Sequence, residues 1–381
     1  MLATTVPMMD LRLQYEPLRE EILREVAAVL DSQQVCDGPA CRKLEAQIVE
    51  YCRVPHAVAV SSGTDAITVT LMAMDLGCGD EVITSPFTFF ATAGSMWRRG
   101  VRPVFADINP QTFNLDPRKI EEKITENTRA IMPVHLFGQM ADMDAIRAIA
   151  DAHGLKVIED AAQAIGSAAH GVGPGQRSAA AILSFYPTKN LGGAGDGGMV
   201  LTPDAELAER VRTFRNHGAL ADDHPQKVAL GGRYRHEEVG GNFRMDSVNA
   251  AYLSVKLPHL ERWHEARRRN AALYNELLAG IDDLQTPVIA DGNVSIYNQY
   301  VVRTPRRDAL MEHLREQQVG CAVYYPLSLH EQPCFECLSY HRGDFPESER
   351  AADEVLALPI FPELTEEQVR HVADAVRGFF G

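Results

Sequence analysis

A single lysine stands inside a glycine-rich segment of this chain. Lys189 lies in the run Ser-Phe-Tyr-Pro-Thr-Lys-Asn-Leu-Gly-Gly-Ala-Gly-Asp-Gly-Gly, residues 184–198, which holds five glycines. Glycines let the backbone adopt positive φ and approach a ligand closely. The apolar run 179–183 before it is typical of a short buried strand. The segment fits either a lysine amine that meets a bound ring or a glycine-rich turn with a solvated lysine.

Two further groups of polar residues lie at the ends of expected strands. Ser-Ser-Gly-Thr, residues 61–64, separates an expected strand from an expected helix. Free backbone N–H groups and the positive end of a helix dipole at such a position suit a phosphate. Asp160 follows the strand expected at 155–159, and Gln163 comes three residues later. Both groups have a plain alternative, because Ser, Thr and Asp are also common helix N-caps.

Aromatic and amide side chains add what a planar, charged ligand needs. Pro-Phe-Thr-Phe-Phe, residues 86–90, offers aromatic faces to a ring, although three Phe in such a run are more often core residues. Gly-Gly-Asn-Phe-Arg-Met, residues 240–245, adds an amide and a guanidinium, which are natural partners of phosphate or carboxylate. Each of these patterns is common in proteins, and only their occurrence together indicates a ligand site.

Together these parts match what holds pyridoxal phosphate. A lysine amine forms an imine with the aldehyde of this cofactor. A carboxylate keeps the pyridine nitrogen protonated, so that the ring accepts carbanion electrons. Along the chain the phosphate-binding residues come first, then the aromatic face, the acid and the lysine, which fits successive strand ends. The residues therefore predict a pyridoxal-phosphate enzyme with Lys189 as its Schiff-base residue.

The elements that position these residues alternate between strands and helices. The pattern predicts strands at 56–60, 81–84, 102–106, 130–134, 155–159, 182–185 and 199–201. It predicts helices at 10–31, 41–52, 64–76, 90–98, 116–125 and 143–153. Short apolar strands without strict in-and-out alternation indicate a mostly parallel sheet that is buried on both faces. We therefore expect an α/β fold, with a large domain in which helices flank a central sheet.

The character of the chain changes after residue 204. Residues 246–280 are predicted to be predominantly helical and are heavily charged, which is typical of a solvated helix that links two domains. Strands at 297–302 and 319–325, with helices at 307–317, 347–356 and 365–378, predict a smaller α+β domain. We expect a large domain over residues 1–250 and a small one over residues 251–381. The loop 218–241 is expected to be a mobile insertion.

Composition excludes several classes of partner. The 381 residues carry a net charge of −15 at pH 7. Nucleic acids and anionic membranes bind basic faces, so neither is expected as a partner. Residues 1–16 do not resemble a signal peptide, and no apolar run reaches membrane-spanning length. We therefore expect a cytoplasmic protein with reduced thiols.

Cysteine and histidine spacing gives little reason to expect a metal. Seven cysteines are spread over the chain, and Cys334 and Cys337 form a lone Cys-x-x-Cys pair. His330 and His341 are near this pair in sequence, but a zinc site would want a second pair or suitably spaced histidines. We expect two free cysteines in a loop and no metal site.

Several motifs, spread over essentially the whole chain, resemble those of one family. They are Gly-Asp-Glu-Val-Ile at 79–83, Thr-Phe-Phe-Ala-Thr at 88–92, Pro-Val-His-Leu-Phe-Gly at 133–138, Val-Ile-Glu-Asp-Ala-Ala-Gln at 157–163 and Asn-Phe-Arg-Met at 242–245. They resemble the DegT/DnrJ/EryC1/StrS family of pyridoxal-phosphate-dependent nucleotide-sugar aminotransferases. This resemblance implies the type I aspartate aminotransferase fold.

The resemblance also implies a role for each candidate residue. Lys189 would form the Schiff base with the cofactor. Asp160 would pair with the ring nitrogen, Gln163 would contact the ring hydroxyl, and Phe89 would stack on the ring. The phosphate would be held by Gly63, Thr64 and Ser184, and by Asn242 from the other subunit of a homodimer. Contacts to the substrate would come from Tyr186, Arg244, Tyr325 and His330.

The segment after the lysine also bears on the substrate. Gly-Asp-Gly-Gly, residues 195–198, resembles family members that aminate C3 of nucleotide-linked 3-keto sugars, whereas C4 members usually carry Glu-Gly-Gly. The implied reaction moves the amino group of L-glutamate to C3 of a UDP- or dTDP-linked 3-keto sugar, and the cofactor passes through its pyridoxamine phosphate form. Tyr324 stands where the family usually has a histidine, so its role stays open, as do the nucleotide and the groups at C2 and C6.

Two other functions are alternatives to amination at C3. A nucleotide-linked 4-keto-sugar 4-aminotransferase is the main alternative, and a non-catalytic regulatory protein on the same fold is a further one. A dehydratase of the same fold is disfavoured, because those relatives lack the Schiff-base lysine. A phosphate-binding P-loop is disfavoured as well, because Lys189 precedes the glycines instead of following them.

Overall fold

A computed structural model describes residues 5–220 and 235–381 of the chain. The part of the expected insertion from 221 to 234 lies outside the described residues. The strands of the larger part are β1 (His56–Val60), β2 (Glu81–Thr84), β3 (Arg102–Phe105), β4 (Thr128–Met132), β5 (Lys156–Asp160), β6 (Ala168–Ala169), β7 (Ala180–Ser184) and β8 (Gly198–Thr202).

Seven of these strands form one central sheet. Their order is β1-β8-β7-β5-β4-β2-β3. β2 pairs in parallel with β3 and β4, and β5 pairs in parallel with β4 and β7. β8 runs antiparallel to both of its neighbours, β1 and β7. The predicted α/β fold with a mostly parallel sheet is confirmed.

Helices cover both faces of the sheet. They are α1 (Arg12–Tyr15), α2 (Arg19–Ser32), α3 (Pro39–Cys52), α4 (Gly63–Ala73), α5 (Ala91–Arg99), α6 (Met143–His153), α7 (Ala205–Arg215) and α8 (Ser247–Lys256). The later helices are α9 (Leu260–Leu277), α10 (Arg307–Glu316), α11 (Pro346–Glu354) and α12 (Glu366–Phe380). Among the residues that the structure describes, no helix combines the length and apolar character needed to cross a bilayer.

The central strands contribute to apolar cores on both faces of the sheet, which explains their consecutive apolar residues. Ala57 and Ala59 of β1 pack in the core that includes Leu44 of α3. Val58 and Val60 pack in the core on the other face, together with residues of α4. Because neighbouring side chains of a strand point to opposite faces, a strand covered on both sides can carry apolar side chains at successive positions.

A smaller unit is built around two antiparallel strands. β9 (Asn293–Val294) pairs with β6, and β10 (Tyr300–Arg303) pairs with β11 (Val355–Leu358). The core changes along α9, since Trp263 packs in the core of the large domain and Ala271 packs in that of the small unit. Val6 also packs in the small unit, where its backbone bonds to Gln318 and Gly320. We therefore propose a domain boundary within α9, not at residue 250.

Three local predictions are wrong. Residues 319–325 form no strand, because Val319 and Ala322 make only isolated bridges. The helix predicted at 347–356 overlaps the start of β11, which begins at Val355. Residues 116–125 form two 3-10 turns, Pro117–Lys119 and Glu121–Lys123, with no α-helix between them. A short apolar run fits a helix and a strand equally well from sequence. Which of the two forms depends on the segment that it packs against or pairs with.

The expectation of a solvated linking helix is wrong for one face of α9. Trp263, His264 and Arg267 are buried there. Arg267 Nη1 donates to the carbonyl oxygens of Tyr297 at 3.0 Å and Ile360 at 2.8 Å. A charge pattern alone did not reveal this, because guanidinium groups satisfied by backbone carbonyls are compatible with burial.

Candidate active site

The ends of β1, β5 and β7 lie side by side at one edge of the sheet. Val60 and Ser184 both pair with Gly198 of β8. Asp160 pairs with Ile182, on the strand next to it. The carboxyl edge of a parallel sheet is where α/β proteins bind ligands. The fold therefore brings together three residue groups that span more than a hundred positions in sequence.

The first turn of α4 lies directly against β7. A Cβ at Gly63 would lie 2.8 Å from the Cβ of Ser184, and one at Gly198 would lie 2.3 Å from the carbonyl oxygen of Ser62. Both positions therefore require glycine. Ser62 Oγ accepts a hydrogen bond from Asp65 N at 3.0 Å and caps the helix.

This close approach builds a cup for an anion. The N–H groups of the first helical turn, which include those of Gly63 and Thr64, have no acceptor within the helix. The hydroxyl of Ser184 lies next to them, because its Oγ would be 3.1 Å from a Cβ at Gly63. Helix N-termini with free N–H groups bind phosphate, so the cup has the donors that a phosphate ester needs.

Asp160 is held by neutral donors. Its carboxylate accepts from Thr92 Oγ1 at 2.7 Å and from Ala162 N at 3.2 Å. The Thr92 hydroxyl also lies 3.1 Å from that of Thr88. The sequence patterns predict no role for Thr88 or Thr92, although both belong to the family motif at 88–92. Their hydroxyls orient a buried carboxylate without neutralising its charge, which leaves the charge free to act on a ligand.

Lys189 lies within the electrostatic influence of this carboxylate. Burial lowers the pKa of Lys189 to about 8, and the charge of Asp160 partly opposes that decrease. At pH 7 about a tenth of such amines are neutral, against about one in three thousand at the usual lysine pKa. The site therefore provides a lysine amine that is available as a nucleophile near neutral pH.

The amide of Gln163 is fixed at both ends. Its Oε1 accepts from Phe137 N at 2.8 Å, and its Nε2 donates to the hydroxyl of Tyr325 at 3.0 Å. The backbone donor decides which end of the amide is oxygen. Burial raises the pKa of Tyr325, so its hydroxyl stays protonated. Since that hydroxyl accepts from Gln163, its own proton is available to another acceptor.

The three neighbouring phenylalanines have different surroundings. Phe87 is buried, and Phe90 stacks on Phe335 with ring centroids 5.6 Å apart. Phe89 is 57% exposed, and its ring centroid lies 6.1 Å from that of Tyr325. Of the three, Phe89 therefore leaves most of its ring open to a ligand. Tyr186, in the lysine segment, is 53% exposed.

Asn242 and Arg244 lie at the outer side of this edge. Between them, Phe243 O accepts from Ser61 N at 2.8 Å, which ties the segment to the end of β1. Arg244 Nη1 donates to Asn216 Oδ1 at 2.7 Å. The side chain of Asn242 is exposed. The segment is therefore anchored to the site by its backbone and presents its amide outward.

His330 is not brought to the open side of the site. It is fully buried, its Nε2 lies 3.1 Å from Glu349 Oε1, and its ring centroid lies 4.7 Å from that of Phe345. Leu329 N donates to Pro86 O at 2.8 Å, so the segment braces the loop before Phe89. These contacts describe a structural residue. They differ from the expected contact with substrate, which stays a prediction.

Within the described ranges, 5–220 and 235–381, no group of three or more His, Cys, Asp or Glu side chains is placed to hold a metal ion. Cys334 and Cys337 are both exposed and free.

The sequence of the chain matches a known family. A model of the DegT/DnrJ/EryC1/StrS aminotransferase family matches residues 16–377. The chain belongs to this family. The predicted family and the predicted aminotransferase activity are confirmed, and the enzyme is pyridoxal-phosphate-dependent, as expected. As a member of the family, the protein is a nucleotide-sugar aminotransferase.

Individual relatives carry different names. The chain is 51% identical to a pleiotropic regulatory protein of Geobacillus stearothermophilus, over 98% of each chain. It is 42% identical to a UDP-N-acetyl-3-dehydro-alpha-D-glucosamine 3-aminotransferase of Acidithiobacillus ferrooxidans, over 98% of each chain. The crystal structure of DesV from S. venezuelae, in complex with a ketimine intermediate, superposes with a TM-score of 0.94 at 41% identity and covers 98% of each chain.

The residues of the site fit the cofactor. Gly63 and Gly198 leave the space in which a Cβ would clash, and the first turn of α4 supplies N–H donors for a phosphate. Asp160 supplies a buried carboxylate, and Lys189 supplies an amine with a lowered pKa. These features were observed in the chain itself and do not depend on its relatives.

Proposed function

We propose that the protein transfers the amino group of L-glutamate to C3 of a UDP- or dTDP-linked 3-keto sugar, giving a 3-amino sugar and 2-oxoglutarate. The observation that carries the transfer chemistry is the amine of Lys189, whose pKa of about 8 reflects burial opposed by the charge of Asp160. The choice of C3 is supported by the 42% identical 3-aminotransferase and by residues 195–198.

The cofactor would be held by residues that are already oriented. When bound, pyridoxal phosphate supplies an aldehyde that carries the amino group and a ring that accepts electrons. We assign the phosphate to Gly63, Thr64 and Ser184, at the junction of α4 and β7. Asp160, oriented by Thr92, is assigned to the ring nitrogen.

Lys189 has two tasks in this proposal. Its Nζ attaches the cofactor covalently and, when released, accepts and returns the proton that moves during the transfer. An amine with a pKa near the working pH suits both directions of proton transfer, because neither protonation state dominates strongly. The lowered pKa of about 8 is therefore the property that this role requires.

The remaining predicted residues form the rim that would meet the substrate. Tyr325 can donate its hydroxyl proton, because that oxygen already accepts from Gln163 Nε2 at 3.0 Å. Phe89 is assigned to the cofactor ring, and Tyr186 and Arg244 are assigned to the nucleotide sugar. The charge and planar donor geometry of Arg244 suit a diphosphate or a carboxylate.

We also propose a homodimer that shares its active sites. The amide of Asn242 is exposed at the outer side of the sheet edge. An exposed amide in an anchored segment can reach the phosphate cup of a second copy, which would complete that cup.

The substrate assignment is tested with four sugars. The purified protein is incubated with L-glutamate and with UDP- or dTDP-linked 3-keto or 4-keto sugars, and 2-oxoglutarate release and the NMR spectrum of the product are recorded. We expect amination at C3 with at least one 3-keto sugar, and none with Lys189→Ala. Amination of 4-keto sugars alone would instead support the 4-aminotransferase.

A regulatory role is a second candidate, because the 51% identical relative is named a pleiotropic regulatory protein. Gene deletion followed by complementation with the wild-type or the Lys189→Ala chain separates the two. If only the wild-type chain restores the transcript profile, regulation depends on the amino sugar. If both restore it, the chain regulates without catalysis.

A further inference from the structure

A buried lysine, Lys256, lies beneath the segment that carries Lys189. It is the last residue of α8, and it is 3% exposed. Its Nζ donates to the carbonyl oxygen of Gly192 at 2.6 Å. The same Nζ lies 5.2 Å from the ring centroid of Tyr252 and 5.6 Å from that of Trp263. The ammonium group therefore contacts two aromatic rings and one carbonyl of the lysine segment.

Burial of this ammonium group is unfavourable in itself. Lysine is almost never fully buried without a partner, and an unbranched apolar side chain would fill the same space. Burial lowers the pKa of Lys256 to about 8, although the charge of Glu363 acts in the opposite direction. A cation at this position therefore needs a compensating interaction, and its hydrogen bond runs to the segment 184–198.

Gly192 connects that hydrogen bond to Lys189. A Cβ at Gly192 would lie 2.0 Å from the carbonyl oxygen of Pro187 and 3.1 Å from that of Lys189. The chain thus folds back on itself within a few residues. A displacement of the Gly192 carbonyl would therefore displace the backbone of Lys189.

Two asparagines hold the parts of the segment on either side. Asn190 Oδ1 accepts from Asn298 Nδ2 at 2.8 Å. Asn249 Oδ1 accepts from Ala194 N at 2.8 Å, and its Nδ2 donates to Asp196 O at 2.8 Å. The buried lysine of α8 holds the middle of the segment, between these two contacts. Its donor is charged, and charged donors form the stronger hydrogen bonds.

We propose that Lys256 is a positioning residue for the aminotransferase reaction, which holds the amine of Lys189 in place through the carbonyl of Gly192. It touches neither the substrate nor the reacting atoms, so it acts through the backbone of the segment. The proposal rests on the proposed role of Lys189.

Three variants test the proposal. Lys256→Met removes the donor and keeps an unbranched side chain, whereas Lys256→Arg keeps a charged donor. Arg303→Met is the matched control, because Arg303 is also a buried cation. Its bonds run to Glu354 at 2.6 Å and to Pro110 O at 3.2 Å, outside the lysine segment.

The first measurement is the rate at which the apo-enzyme captures pyridoxal phosphate at Lys189, trapped by borohydride reduction and located by peptide mass. Misplacement of a reacting group by about 1 Å costs about 100-fold in rate, so we expect Lys256→Met to slow capture about 10- to 100-fold. Lys256→Arg should stay within about threefold of the wild type, because it keeps a charged donor. Arg303→Met should keep the wild-type rate even where its Tm falls.

The second measurement is single-turnover amino transfer from L-glutamate. We expect Lys256→Met to lower the rate constant and to leave the half-saturating glutamate concentration unchanged, because the amino donor is bound by other residues. If Lys256 had a purely structural role, Lys256→Met and Arg303→Met would lower the rate constant equally. Lys256→Arg would then not restore it.

Two results would overturn the proposal: a wild-type capture rate in Lys256→Met, or equal loss in Lys256→Met and Arg303→Met. Capture needs neither an amino donor nor a sugar, so an error in the proposed substrate leaves this readout intact. If the wild-type protein captures the cofactor at a residue other than Lys189, the role of Lys256 fails together with that of Lys189.

Discussion

The inner part of the site and its rim differ in whether the side chains of one chain are held in place by that chain alone. Asp160 and Gln163 are buried, and each has hydrogen-bond partners from its own chain. Phe89 and Tyr186 on the rim are more than half exposed, at 57% and 53%. Asn242 is exposed as well. Folding of one chain therefore orients the groups that do chemistry, whereas the rim depends on a ligand or a second subunit.

The largest expected effect comes from removal of the inner nucleophile. Lys189→Ala should lower turnover by at least about 10,000-fold, as expected for a residue that acts covalently. Steady-state rates with L-glutamate and the keto sugar measure it. The control is Thr188→Ala, an exposed neighbour in the same segment, which should keep near wild-type turnover. Unimpaired turnover without Lys189 would contradict the assignment.

Asp160→Asn separates an electronic role from a structural one. Turnover should fall about 100-fold or more, because the substituted amide no longer holds a proton on the ring nitrogen. The charge of Asp160 raises the pKa of Lys189, so its removal should lower that pKa below about 8. A lower pKa leaves the amine neutral at lower pH, and the pH profile of cofactor capture should shift downward. A profile that stays in place or moves upward would contradict the coupling.

Most residues of the inner site can be predicted from the sequence because they lie at the ends of strands. Strand positions and the residues directly after them follow from local apolar runs, and the parallel sheet then brings Asp160 and Ser184 together. The supports of these residues were harder to predict. Thr92 looks like any helical threonine until the fold places it 2.7 Å from the Asp160 carboxylate.

Two buried polar side chains, those of Arg267 and His330, could not be predicted as buried because their partners are distant in sequence. Arg267 belongs to a charged helix that the sequence predicts to be solvated, yet it is buried, and its Nη1 donates to two carbonyls of the small unit. His330, which is predicted to contact the substrate, is buried beside Glu349, and that contact stays a prediction. Burial of a charged or titratable group depends on partners that are far apart in sequence, so a local pattern does not reveal it.

Mixed dimers test whether the rim is completed by a second subunit. Asn242→Ala should weaken cofactor binding about tenfold, since it removes one hydrogen bond to a charged group. An equal mixture of Asn242→Ala and Lys189→Ala subunits, unfolded and refolded together, forms mixed dimers that each contain one intact site. At a cofactor concentration well below the dissociation constant of the Asn242→Ala variant, recovered activity should approach about a quarter of the wild-type value at the same concentration, because the Asn242→Ala homodimers are then largely unoccupied.

The matched control combines two inner variants. Lys189→Ala mixed with Asp160→Asn should recover nothing, because every mixed dimer then has a defect in both of its sites. Recovery in this control would mean that the inner groups are themselves exchanged between subunits. Absence of recovery in the first mixture would show that Asn242 serves the site of its own chain.

The smallest expected effects separate two adjacent aromatic rings. That of Phe89 lies on the rim and is 57% exposed, whereas that of Phe90 is 46% exposed and stacks on Phe335. Phe90 stacks on Phe335 at 5.6 Å, so Phe90→Leu should lower stability by about 1 kcal/mol, which is typical of an aromatic pair, and leave cofactor affinity unchanged. Phe89 is 57% exposed, so Phe89→Leu should weaken cofactor affinity by about threefold and leave stability unchanged. Urea unfolding of the apo-protein and cofactor titration measure the two quantities separately. If Phe89→Leu destabilises the apo-protein as much as Phe90→Leu does, the fold packs the ring of Phe89 as firmly as that of Phe90. Phe89 would then belong to the inner part of the site and not to its rim.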